Sequence, residues 1–158
     1  MKQDSRLSGV LHILLHMAGQ NAPLSSEVLA KAMNTNPVVV RRVMAGLRNK
    51  GYVRSEKGHG GGWTLTRSLA EITLADVYDA LGRPTILALG HRDPKADCLI
   101  EQAVNAALDT AFHEAEALLH AQFARVTLAQ LSLDFEHRLA ERGLTRTGDA
   151  PCPQKTAQ

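Results

Sequence analysis

The sequence predicts a mainly α-helical chain with a single β-hairpin, and three observations lead there. Apolar residues recur at helical spacing in six separate segments. A glycine cluster, Gly58-His59-Gly60-Gly61-Gly62, stands between two short strand-like runs. From Cys98 to Val126 neither Gly nor Pro occurs, so one long helix can run through. Taken in order, these features outline a winged helix-turn-helix with a two-stranded wing, followed by a long C-terminal dimerisation helix.

Leu7, Val10, Leu11, Leu14, Leu15 and Ala18 make the apolar stripe of a first helix, which Gly19 to Pro23 ends. Ser25 or Ser26 caps a short second helix with Val28, Leu29, Ala32 and Met33 facing inward and Glu27 four residues before Lys31. Asn34-Thr35-Asn36-Pro37 is a turn that ends in a cap: Asn36 is a favoured N-cap, and Pro37 suits the first helical position because its missing N–H would be unpaired there anyway. A third helix follows with Val40, Val43, Met44 and Leu47 inward and Gly51 closing it.

Tyr52-Val53-Arg54-Ser55 and Trp63-Thr64-Leu65-Thr66 pair across the glycines as the wing, with Trp63 a packing residue at its root. Thr73-Leu74-Ala75-Asp76 is a capping box that opens a fourth helix, with Leu74, Val77, Tyr78 and Leu81 at helical spacing. Residues 83 to 97 read as an irregular connection. The long helix then carries Ile100, Val104, Ala107, Leu108, Ala111, Ala115, Leu118, Leu119 and Phe123 on a broad apolar face. At about 1.5 Å per residue it reaches roughly 40 Å, longer than the small winged domain, so part of that face needs a second chain. Thr127-Leu128-Ala129-Gln130 caps a last helix with Leu128, Leu131, Phe135 and Leu139 inward and Gly143 as its stop. Residues 144 to 158 are expected to be a disordered tail.

The chain has 158 residues, 44% of them hydrophobic and 22% charged, which excludes wholesale disorder. Its net charge of +2 conceals a polarity. Residues 1 to 67 hold ten Lys and Arg against three Asp and Glu, a net +7, and the remainder holds eight against thirteen, a net −5. A chain so divided has one half that seeks polyanions and another that avoids them. No run approaches the roughly 18 apolar residues of a membrane span. With no secretory pattern at the start and two cysteines, Cys98 and Cys152, too few for a disulfide framework, the expected compartment is the cytoplasm.

The basic half has the chemistry of double-stranded DNA recognition. Arg41, Arg42 and Arg48 lie opposite the apolar stripe of the third helix, and arginine binds guanine or phosphate in two-pronged fashion. Val38 and Val39 are placed to touch thymine methyls. Ser25, Ser26, Thr35 and Asn36 sit at helix starts, where hydroxyls and backbone N–H groups hold phosphate oxygens. Lys50 and Arg54 add phosphate attraction, and Lys57, His59 and Gly60 bring the wing to the backbone or minor groove. No nucleophile–base pair, phosphate-binding loop or strong metal-ligand spacing occurs, so the reading is not an enzyme and assigns no metal. His12 with His16, and His113 with Glu116 and His120, have adequate helical spacing for a metal but read as surface or packing residues.

The stretches LSSEVLAKAMNTNPVVVRRVMAGLRNKGYV (Leu24 to Val53), GHGGGWTLTR (Gly58 to Arg67), EITLADVYDALG (Glu71 to Gly82) and VTLAQL (Val126 to Leu131) resemble the Rrf-two (Rrf2) family of bacterial winged-helix regulators, which includes the IscR, NsrR and CymR types. The resemblance covers about residues 5 to 140. It implies a homodimeric transcription factor, usually a repressor, that reads a signal in the connection before the long helix. Cluster-binding members carry three closely spaced cysteines there. This chain has Cys98 alone, with His91, Asp93 and Asp97 nearby, and so is closer to the members that lack the cluster motif; no iron–sulfur cofactor is expected. With Asp97 as cap, Cys98 falls in the first turn of the long helix, whose dipole favours a thiolate, and it is the candidate sensor of an oxidant or small-molecule effector.

The resulting expectation is a DNA-binding domain over residues 1–82, a connection and sensor loop over 83–97, dimerisation helices over 98–143 and the tail over 144–158. The competing expectation is a winged-helix interaction module whose long helix docks a protein partner.

Overall fold

A computed structural model describes residues 4–86, 90–91 and 97–143. Its order is α1 (Arg6–Ala18), α2 (Ser26–Met33), α3 (Pro37–Asn49), β1 (Val53–Glu56), β2 (Gly62–Leu65), a short 3-10 turn (Leu69–Glu71), α4 (Leu74–Ala80), α5 (Leu99–Ala124) and α6 (Leu128–Glu141). β1 and β2 pair antiparallel in the register Val53 with Leu65 through Glu56 with Gly62. A mainly helical winged helix with one hairpin and a long C-terminal helix is therefore what the chain forms.

The core lies in the winged half, with Leu128 of α6 added to it. Val10, Ile13, Leu14, Leu29, Val40, Met44, Leu47, Val53, Ile72, Val77 and Leu128 are fully buried. Each large apolar side chain removed from water contributes about 1.5–3 kcal/mol, so this cluster supplies most of the drive to fold. On α3 the four inward residues are the four expected. On α1 the expected stripe is rotated: Val10 and Leu14 are buried with Ile13 and Met17, whereas Leu7, Leu11 and Leu15 are half-buried and Ala18 is exposed. Two overlapping stripes share Val10 and Leu14, and packing against α2, α4, α6 and β2 selects the second. On α2, Ala30 is buried and Val28, expected inward, is 50% exposed.

Local signals explain the element ends. Asn34 closes α2 in the left-handed region (φ 51°). The Asn36 side chain accepts the N–H groups of Val38 at 2.9 Å and Val39 at 3.1 Å, with Pro37 at the first helical position. Gly46 lets α3 meet α4 closely, because a Cβ there would stand 2.5 Å from the Ala80 carbonyl oxygen. The wing is anchored at its root by Leu24, which exchanges both backbone hydrogen bonds with Trp63. Two capping boxes, Thr73 with Asp76 and Thr127 with Gln130, open α4 and α6. They lie side by side, since the Leu74 N–H donates to Val126 O at 2.9 Å and the Leu128 N–H to Ile72 O at 2.8 Å.

α5 runs 26 residues, about 39 Å at 1.5 Å per residue, and none of its residues is buried. Leu99, Ile100, Val104 and Leu118 are 51–78% exposed. Its C-terminal part docks on α4, where Tyr78 packs edge-on against Phe123 at 5.7 Å and His120 Nε2 meets Asp79 at 3.2 Å. α6 leaves the domain after its first turn, so Leu128 is buried, Leu131 and Leu139 are half-buried, and Phe135, expected inward, is 40% exposed.

Candidate nucleic-acid interface

α3 and the wing bring most of the predicted contact residues to the surface. Val38 is 58% exposed on the first turn of α3, with Arg41 and Arg42 one turn on. Arg48 and Lys50, also exposed, stand at the other end of the helix, roughly 10 Å along the axis from Arg41. Lys57, His59 and Gly60 are exposed at the wing tip, where Gly58 (φ 97°) and Gly60 (φ 80°) take the turn that a side chain would strain. Ser25 and Thr35 flank α2, and the Ser25 hydroxyl accepts the Val28 N–H at 3.3 Å.

Three assignments change. Ser26 is buried, and its hydroxyl accepts the Trp63 indole N–H at 3.0 Å, so it fastens the wing root to α2 and does not face phosphate. Val39 is half-buried against the core, which leaves Val38 as the exposed valine of that turn. Asn36 is exposed, but its side-chain oxygen is committed to the α3 cap.

The arginines are not equivalent. Arg41 donates through Nη2 to Glu27 Oε1 at 2.8 Å. Arg54 donates to Thr64 Oγ1 at 3.0 Å and to Glu56 Oε1 at 3.1 Å along the wing. Arg67 stacks its guanidinium 5.3 Å from the Tyr52 ring centroid. Among the described residues, no carboxylate pairs with Arg42, Arg48, Lys50 or Lys57. A shallow groove joins α2, α3 and the wing, with Glu27, Arg41, Glu56 and Gly61 on its walls. Glu27 was legible only as a helical neighbour of Lys31. Its actual partner lies fourteen residues away, a pairing that no local spacing encodes.

Behind this face, Tyr52 ties the wing to α4. Its hydroxyl donates to Asp76 Oδ1 at 2.8 Å, while Oδ2 accepts the Thr73 N–H and hydroxyl, each at 2.8 Å. Burial first, then the Asp76 bond, pushes the Tyr52 phenol up to about 12.

At the other end, Cys98 itself is the N-cap of α5, with extended backbone (φ −72°, ψ 122°), so Asp97 lies before the cap and does not supply it. The thiol is exposed, and the Glu101 and Ile100 amides hold its pKa below the ordinary value. His91 Nε2 meets Asp109 on α5 at 2.7 Å, Nε2 of His12 and of His16 are 2.8 Å apart, and His120 Nε2 meets Asp79. Among the described residues, no three His, Cys, Asp or Glu converge, and no helix is long and apolar enough to cross a membrane. Asp93, Cys152 and the tail lie outside the described residues.

The family model described as Rrf2, iron-dependent transcriptional regulator, matches residues 3–134. A relative from Bacillus subtilis (strain 168), YwnA, assigned as an HTH-type transcriptional regulator, is 32% identical over 125 residues, 79% of this chain and 92% of its own. A crystal structure from Lactobacillus plantarum, assigned as a transcriptional regulator, superposes with a TM-score of 0.71 at 26% identity, covering 89% of this chain and 96% of the other. T. potens IscR shares the fold, with a TM-score of 0.59 at 21% identity over 93% of this chain and 94% of its own. Relatives and family alike are regulators of transcription and not enzymes. The chain, a winged helix with a basic N-terminal half, belongs to the Rrf2 family of DNA-binding transcriptional regulators.

Proposed function

We propose that the chain is a homodimeric, sequence-specific repressor that inserts the N-terminal half of α3 in the major groove and lays its wing along the backbone. The observation that carries the reading is the groove lined by Arg41 of α3 and Gly61 of the wing, beside Arg42, Arg48 and Lys57, which pair with no carboxylate among the described residues. Residues 1–82 form the reader, 83–97 the connection, 98–143 the dimer arm and 144–158 a tail. Support for the dimer is α5 itself, which keeps large apolar residues at 51–78% exposure with nothing among the described residues to cover them.

The family description names iron, and the donor set here does not fit an iron–sulfur cluster. Among the described residues Cys98 is the single free thiol, whereas such clusters are held by several thiolates. Cys98, exposed and facing backbone amides, is instead the group through which an oxidant or electrophile releases DNA.

Selection of genomic DNA fragments by the purified protein, followed by titration in rising salt, tests the reading. Specific fragments are expected, with affinity that falls steeply with salt, and Arg42→Ala lowers the slope by about 1. Absence of salt-dependent specific binding overturns it. If Cys98→Ser releases DNA on oxidant treatment as the unaltered protein does, the thiol part fails alone.

A further inference from the structure

Glu27 stands where a DNA-binding surface should least tolerate it. It lies in the first turn of α2, on the wall of the groove between α3 and the wing, and its side chain is 59% exposed. An acid in the first turn of α2 favours the helix, but the exposed ion pair adds little to stability, so folding does not require the carboxylate to meet Arg41. Its charge is nevertheless secured: its own backbone N–H, then the Ser25 hydroxyl and the Arg41 guanidinium hold the carboxyl below the usual range.

The frame around the pair is rigid. Asn34 and Asn36 fix the turn between α2 and α3, so Glu27 and Arg41 face each other from two helices with set ends. Glu27 takes one amino group of the guanidinium, Nη2, at 2.8 Å. A guanidinium has five N–H donors in a fixed fork, so the remaining donors stay free for the two acceptors on a guanine edge. An arginine without such a tether swings to the nearest phosphate, which positions the protein but conveys no sequence. The carboxylate also repels phosphate from the groove.

We propose that Glu27 is a specificity-determining residue, which holds Arg41 for a base edge and sets sequence discrimination above raw affinity. This rests on the DNA-binding reading above. Glu56, which pairs with Arg54 on the opposite wall, extends the same acidic lining.

Glu27→Gln tests the idea, because it keeps the side-chain shape and removes the charge. Affinities for the selected operator and for random-sequence DNA are measured by fluorescence anisotropy across a salt series. Random-DNA affinity is expected to rise severalfold, with a salt slope steeper by up to about 1. The operator-to-random ratio is expected to fall about tenfold, in the range one bidentate base contact supplies, with the lost preference at a single base position. Arg41→Ala should lose preference at that same position, and adding Glu27→Gln to it should lower the ratio little further. Equal gains for operator and random DNA overturn the proposal, as does no change in either. If the unaltered protein shows no operator preference, the DNA-binding reading itself falls, and that outcome is separate from a Glu27→Gln variant that keeps its ratio.

Discussion

The Tyr52 hydroxyl donates to Asp76 Oδ1 at 2.8 Å, and the other oxygen of that carboxylate caps α4, so one side chain joins the wing root to the helix behind it. Tyr52→Phe removes the donor and should lower stability by about 1–3 kcal/mol, since the acceptor is charged and half-buried. Urea unfolding measures the loss. A phenol titration of the Tyr78→Phe variant should show Tyr52 ionising near 12.

Asp76 sets a pH dependence. Burial acts to raise its carboxyl, but the Thr73 N–H, the Thr73 hydroxyl and the Tyr52 hydroxyl outweigh burial and hold it below the ordinary value. With the folded pKa depressed, this contribution is complete above the unfolded value of about 4 and is lost as pH falls through the folded one. Asp76→Asn should therefore cost about 1–2 kcal/mol near neutral pH, and its gap from the unaltered protein should narrow at an acid pH below the unfolded value. Urea midpoints at both pH values decide it.

Gly46 is a packing requirement. An Ala Cβ there would meet the Ala80 carbonyl oxygen at 2.5 Å and force α3 from α4. Gly46→Ala should lower stability by roughly 1–3 kcal/mol despite the better helix propensity of alanine. A thermal melt that rises instead would refute the close approach.

Ser26 separates structure from recognition. Ser26→Ala leaves the Trp63 indole N–H without its acceptor and should destabilise by about 1–3 kcal/mol. Its DNA affinity should keep the salt slope of the unaltered protein, because Ser26 is buried and touches no phosphate. A reduced slope would return Ser26 to the interface.

The features legible in the sequence are those written within a few residues. The Asn36 cap, Pro37, the inward face of α3 and the Thr73 and Thr127 capping boxes all depend on spacings of one to four, which backbone geometry dictates. The α1 stripe was ambiguous because two faces share residues, and only packing partners choose between them. Glu27 with Arg41, Tyr52 with Asp76 and Ser26 with Trp63 were hidden because each joins elements far apart in sequence. Ser26 and Val39 were read as contacts for the same reason: polarity and helix position suggest exposure, while burial is decided by what folds over them.

The side-by-side capping boxes at Thr73 and Thr127 join the start of α4, which stays in the winged core, to the end of α5 at one seam, so the chain between them is a closed loop. Closing such a loop is entropically tolerant, since doubling its length costs only about 0.6 kcal/mol. Whole turns can thus be gained or lost in α5 without disturbing the seam. The reach of that arm can change while the winged core and its basic face stay constant.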